Sequence, residues 1–314
     1  MSMQIYDMAV IGGGPGGYTA ALYAARAGLN VVVLEQLSAG GQMALTEQID
    51  NYPGFDAGID GFTLGEQMQR GAEHFGAETI LAEVESVELQ EPVKRLKTSE
   101  GIIMTRTVVI ATGATPRPLG IPGEREWTGR GVHYCAACDG MAYRGKTVAV
   151  IGGGNSAAED ALTLSRFAKK VYLIHRRDTL RAEKIYTKQL AEKENVEFCW
   201  NSTVEKLICT ERLTGVQLRN SKDHTMQELL CDGIFVSVGR NPATGLLQGQ
   251  VTMDQAGYLC ADETTRTNLP GVFAAGDVRT KPLRQVVTAA ADGAVAAHFA
   301  EQYLNEQKID AGVN

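Results

Sequence analysis

The sequence predicts an α/β protein built from two doubly wound, Rossmann-like units, and three observations carry that expectation. The chain has 314 residues, more than one hydrophobic core ordinarily organises. One segment occurs twice: residues 9–36, AVIGGGPGGYTAALYAARAGLNVVVLEQ, align without a gap with residues 149–176, AVIGGGNSAAEDALTLSRFAKKVYLIHR. Each copy runs from a short apolar stretch through a glycine turn to a helical spacing of small and apolar residues, then to a β-branched stretch. That is the pattern of a βαβ unit, which builds parallel sheets with right-handed crossovers.

In the first copy Gly12, Gly14 and Gly17 complete the G-x-G-x-x-G pattern directly after an apolar strand. The three glycines allow a tight turn, close approach of a pyrophosphate to the backbone, and close helix–strand packing. The following helix offers free N–H groups and partial positive charge to phosphates. Glu35 closes the second strand, where a carboxylate accepts hydrogen bonds from a ribose diol. This first site suits FAD or NAD. Two further apolar stretches that run into glycine turns, TVVIATGA (107–114) and GVFAAGDV (271–278), favour FAD. They put Asp277 at a strand end, where ligands of open α/β sheets bind. An aspartate there also serves ordinary turns.

The second copy keeps Gly152 and Gly154 and has Ala157 at the third position, which the fingerprint permits. In place of Glu35 it carries His175, followed by Arg176 and Arg177, with Arg181 further along. A carboxylate repels a ribose 2′-phosphate, whereas guanidinium groups bind it with charge-assisted hydrogen bonds. The second site therefore prefers NADPH to NADH. The competing reading is a solvated turn in which Asp178, Glu183 and Lys184 simply salt-bridge the cluster.

Between these sites lies HYCAACDG (133–140), with Cys135 and Cys138 two residues apart. Zinc asks for about four ligands, and only His133 and Asp139 stand near the pair. No metal is expected. A redox disulfide needs two sulfurs and an electron source, which two dinucleotide sites provide. Cys199, Cys209, Cys231 and Cys260 are scattered and read as free thiols.

Composition narrows the remaining classes. The 30 basic and 37 acidic residues give a net charge of −7, so no global field draws nucleic acid or an anionic membrane. The N-terminal stretch lacks a signal-peptide pattern, no apolar run reaches membrane-spanning length, and the protein reads as cytoplasmic.

The segments GGGPGG (12–17), GGQ (40–42), NYPG (51–54), ATGA (111–114), CAACDG (135–140), GGGNSAAED (152–160), HRRD (175–178), GDV (276–278) and RQVVTAAADG (284–293) share a pattern. Together they resemble the low-molecular-weight, bacterial-type thioredoxin reductases, a branch of the flavoprotein disulfide reductases. The resemblance covers essentially the whole chain. It implies an FAD domain split into residues 1–116 and 245–314, with an NADPH domain, 117–244, inserted between them. It implies that Gly41, Gln42, Asn51, Asp277, Arg284 and Gln285 approach FAD, the helix near Gln285 facing the flavin pyrimidine. It further implies that Cys138 faces the flavin, Cys135 attacks the disulfide of thioredoxin or a thioredoxin-like protein, and Asp139 is the acid–base; Asp139 also reads as a helix cap before Gly140. A homodimer is implied too.

Two positions depart from the family pattern: Ala137 where threonine is usual, and Asn155 where aspartate is common. A related flavoprotein reducing another disulfide, as in a peroxiredoxin system, or a dithiol oxidase stays open. Because the cysteines and the nicotinamide site belong to one inserted domain, that domain is expected to swivel on residues 114–123 and 239–245.

Overall fold

The computed structural model describes residues 4–46 and 48–310. The chain forms two compact units: Met1–Thr115 with Asn241–Asn314, and Pro116–Arg240.

The first unit is organised by a sheet whose strands run, in spatial order, Glu78–Leu81, Val31–Glu35, Ile5–Ile11, Gly101–Ile110, Lys94–Thr98 and Val84–Glu88. The inner pairs are parallel, Met8 opposite Val31 and Ile5 opposite Met104. Strand Gly101–Ile110 pairs at its start with antiparallel Lys94–Thr98 and at its end with parallel Val272–Ala274, so the C-terminal segment closes the sheet. Val31, Val32 and Val33 are fully buried, as a parallel strand covered on both faces requires. Each such valine contributes on the order of 1.5–3 kcal/mol over an exposed one.

Helices Pro15–Arg26 and Val286–Asp310 cover one face, meeting through Ala20, Ala21, Ala24, Ala296, Ala297 and Ala300. Small side chains let them approach closely. A Cβ on Gly293 would stand 2.2 Å from Gly16 O, so only glycine fits this crossing. The crossing fixes both the first glycine loop and the start of the long helix beside Gln285.

The second unit repeats the plan. Its parallel sheet runs Val196–Cys199, Lys170–Ile174, Thr147–Gly152, Gly233–Ser237 and Val132–His133. Helix Asn155–Ser165 buries Ala157, Ala158, Ala161 and Leu164 against it. A separate antiparallel ladder, Ser202–Cys209, Leu213–Asn220 and Met226–Leu230, packs Val216 and Leu218 onto Ile234 and Val236.

Candidate active site

In the first unit the glycine loop is a cradle that side chains would fill. Gly12 has φ +105°, and a Cβ there would lie 2.5 Å from Ala111 O; one on Gly17 would lie 1.9 Å from Gly12 O. Around Gly14 the space is open, and among the described residues no side chain caps the helix that begins after it. Its first N–H groups thus face a ready anion site. Glu35 is buried at the strand end, its carboxylate accepting from Gly13 N at 2.6 Å and Leu37 N at 3.0 Å. Free lone pairs remain for a diol. These features fit a dinucleotide such as FAD.

The other residues expected around that site come from distant segments. Gly41 opens the turn Gly41–Leu45, and a Cβ on it would be 3.5 Å from Gly14 Cα, so its backbone leans on the loop mouth. Gln42 is exposed beside it. Asn51 Nδ2 donates to Gln285 Oε1 at 3.1 Å, joining residues 234 apart in sequence. Asp277 sits in the turn Gly276–Val278. Arg284 donates from Nε to Asp277 O at 3.3 Å and lays its guanidinium 4.0 Å from the centre of the Tyr258 ring.

Asp292 organises this region, a role that sequence reading missed. Its buried carboxylate accepts from Gly276 N at 2.9 Å, Arg279 Nε at 3.1 Å and Lys281 Nζ at 2.7 Å. Two cations and a backbone donor compensate the buried charge and hold the turn that presents Asp277. The available signal was a lone aspartate in the otherwise apolar run VVTAAADGAVAA.

In the second unit Gly152 has φ +159°, and a Cβ there would lie 2.4 Å from Ser237 O. Ala157, buried on the helix, occupies the third position, with its methyl facing Gly152. Gly154 is open and the helix after it is uncapped by any described side chain. His175 is buried over Gly153, where a Cβ would come within 2.1 Å of the imidazole. Burial lowers its pKa, and Arg176, Arg181 and Arg177 lower it further, so the ring is neutral at pH 7. Its Nε2 is buried without a hydrogen-bond partner, an orphan of the kind a ligand oxygen satisfies.

The arginines follow in an exposed loop. Gly153 O accepts from Arg181 N at 2.7 Å and Ala182 N at 3.1 Å, folding the loop back onto the glycine turn. The competing surface-turn reading placed Asp178 and Glu183 on the arginines. Instead Asp178 pairs with Lys222, and Glu183 forms a reciprocal pair with Asn155: Asn155 Nδ2 donates to Glu183 Oε1, and Glu183 N donates to Asn155 Oδ1, both at 2.9 Å. Aspartate at position 155 would set two carboxylates face to face; the departure to asparagine is thereby explained. Among the described residues no carboxylate pairs with Arg176, Arg177 or Arg181. The set fits a ribose phosphate.

Cys135 precedes and Cys138 lies within the short helix Ala136–Asp139, and the two form a disulfide with Cα atoms 5.3 Å apart. Both are half-buried, and Ala137 is exposed, so the departure from threonine leaves the sulfur packing untouched. Asp160 accepts from Ser237 Oγ and from Ala136 N; burial pushes its pKa up to about 6. Asp139 does not cap the following turn. Its carboxylate turns to His133 Nδ1 at 3.1 Å, while His133 Nε2 meets Tyr143 OH at 2.8 Å. The free thiols Cys199 and Cys231 are pushed up to about 11 and about 12 by burial, which leaves them poor nucleophiles.

With the two loops and the disulfide located, comparison with known proteins adds the lineage. Residues 6–293 match the pyridine nucleotide-disulphide oxidoreductase family, and the chain belongs to it, among the thioredoxin reductases. The thioredoxin reductase of Listeria monocytogenes is 44% identical over 306 residues, 97% of this chain and 96% of the relative. A thioredoxin reductase structure from Streptococcus pyogenes is 43% identical with a TM-score of 0.90, covering 97% of this chain and all of that one. That from Lactococcus lactis, in its FR conformation, is 40% identical with a TM-score of 0.68, covering 96% and 99%.

Proposed function

We propose that the protein is an FAD-dependent enzyme that uses NADPH to reduce the disulfide of thioredoxin or a thioredoxin-like protein. The observation that carries this reading is the Cys135–Cys138 disulfide, set in the same unit as a glycine loop beside Arg176, Arg177 and Arg181, which no carboxylate engages among the described residues. When bound, NADPH supplies hydride and FAD relays two electrons to the disulfide.

The residues divide the work as follows. Gly12, Gly14 and Gly17 seat the FAD pyrophosphate on the helix N-terminus, and Glu35 accepts from the ribose. Gly41, Gln42, Asn51, Asp277, Arg284 and Gln285 line the remainder of that cofactor. Gly152, Gly154 and Ala157 seat the NADPH pyrophosphate, while His175, Arg176, Arg177 and Arg181 hold the adenosine end with its 2′-phosphate. Residues 1–116 and 245–314 thus form the FAD domain, and residues 117–244 the NADPH domain.

After reduction, the Cys135 thiolate attacks one sulfur of the partner disulfide and expels the other as a thiolate. Cys138 then gives up its proton to the Asp139 carboxylate and attacks the Cys135 sulfur, which re-forms the internal disulfide. The partner leaves with both sulfurs reduced, protonated from Asp139 and water. Two electrons and two protons pass to the partner in each cycle.

The disulfide and the arginine loop share one unit, which supports a swivel of that unit on residues 114–123 and 239–245. No described helix is long and apolar enough to cross a membrane. A cytoplasmic homodimer completes the proposal. Its test is an anaerobic NADPH titration of the purified protein, followed by oxidised thioredoxin. NADPH should bleach a flavin absorption band and thioredoxin should restore it; a flavin that NADPH does not bleach refutes the reading.

A further inference from the structure

We infer that His133 is a positioning residue for the redox pair, holding the Asp139 carboxylate beside the cysteines through its Nδ1–H. The inference rests on the acid–base role proposed for Asp139.

Strand pairing sets the imidazole. His133 lies in register with Phe235 on the neighbouring parallel strand, and the rings stack at 5.2 Å with their planes 26° apart. Tyr143 closes the other side edge-on at 5.2 Å. The ring is thus buried and both nitrogens are committed: Nδ1 to Asp139 Oδ2 at 3.1 Å, Nε2 to Tyr143 OH at 2.8 Å. An ionised carboxylate only accepts, so Nδ1 carries the hydrogen toward Asp139; in the neutral ring Nε2 then accepts from the tyrosine. A buried imidazole with this pairing is built to orient its carboxylate neighbour.

The consequence concerns thiolates. Asp139 is adjacent to Cys138 in the chain, and its negative charge disfavours a second negative charge on sulfur. A donor on the carboxylate offsets that repulsion, so the pair helps Cys135 and Cys138 ionise. The other titratable or charged groups around the cluster are Tyr143, whose burial pushes it up to about 12, Asp232 and Cys231 near that ring, Lys146 with Nζ 5.1 Å from its centroid, and Asp160 beneath Ala136. None of them hydrogen-bonds Asp139.

The test reads the thiols directly. The flavin-loaded protein, reduced with dithiothreitol and desalted under argon, is alkylated with iodoacetamide across pH 5–9, and Cys135 and Cys138 are followed by peptide mass spectrometry. In His133→Leu the midpoint of alkylation should rise by roughly 0.5–1 pH unit, a three- to ten-fold slower reaction at pH 7. His133→Phe, which keeps a ring against Phe235, should do the same if leucine disturbs packing. His133→Asn keeps an N–H near the Nδ1 position and should recover most of the rate. In an Asp139→Asn background the His133→Leu shift should vanish. An unchanged midpoint in the leucine and phenylalanine variants, no recovery with asparagine, or a full shift without the Asp139 carboxylate overturns the inference. Alkylation needs no partner protein, so failure to reduce thioredoxin would fault the functional reading and leave this result standing.

Discussion

Replacing Arg176 and Arg177 with alanine should convert a cofactor preference into near indifference. Both side chains are exposed, and among the described residues neither is engaged by a carboxylate. A hydrogen bond to a charged group is worth about 1.5–3 kcal/mol when shielded. At an exposed site screening reduces that, so about 1 kcal/mol for each arginine is the appropriate scale. The pair then accounts for about 2 kcal/mol, or roughly 30-fold in affinity. NADH lacks the 2′-phosphate and should change by less than about three-fold on the same scale. Stopped-flow flavin bleaching at varied NADPH and NADH concentrations measures both. The NADPH effect should shrink as salt rises, because exposed charges are screened. Equal losses for the two cofactors, or an undiminished preference for NADPH, would refute the reasoning.

Other outcomes follow from single positions. Cys138→Ser should retain flavin reduction by NADPH and lose thioredoxin reduction, read by the same bleaching assay with and without partner. Gly17→Ala should cost the protein its flavin, since the new Cβ would fall 1.9 Å from Gly12 O, whereas Ala157→Gly should keep the flavin and cost about 2 kcal/mol of stability, roughly 1 for a helical glycine and about 0.8 for the buried methyl; flavin content and thermal unfolding separate the two. Asp160 titrates at about 6 in the fold against 3.8 when unfolded, so the native state binds the extra proton between those values. Its contribution to stability is therefore greatest at low pH and falls as pH rises toward 6. Denaturant melts at pH 4–7 should show that slope lost in Asp160→Asn.

Most of the fold was legible because it is written twice. The aligned βαβ segments, with strands of unbroken valine and isoleucine, dictate buried parallel sheets on local pattern alone. The glycine turns and the strand-end positions of Glu35 and His175 were legible for the same reason, since their placement depends on spacing within one unit. Long-range partners were not. Val132–His133 is only two residues of strand, too short for any periodicity, yet it places the imidazole against Asp139. Asp139 itself suggested a cap, and the nearby donor won because a buried nitrogen needs a partner more than an exposed turn does. Lys94 is 1% exposed, donating to Glu91 O at 3.0 Å and Pro92 O at 3.3 Å, with burial lowering its pKa. Nothing local marks that lysine as interior, because its acceptors are carbonyls of a turn that tertiary packing encloses.

The central claim is that electrons from NADPH leave the protein through Cys135 and Cys138. Under argon, one equivalent of NADPH per chain added with excess oxidised thioredoxin tests it most directly, with thioredoxin thiols counted by alkylation. The account predicts one thioredoxin disulfide reduced for each NADPH consumed, and none in Cys135→Ser although its flavin still bleaches. Continued reduction of thioredoxin by the Cys135→Ser protein would contradict it.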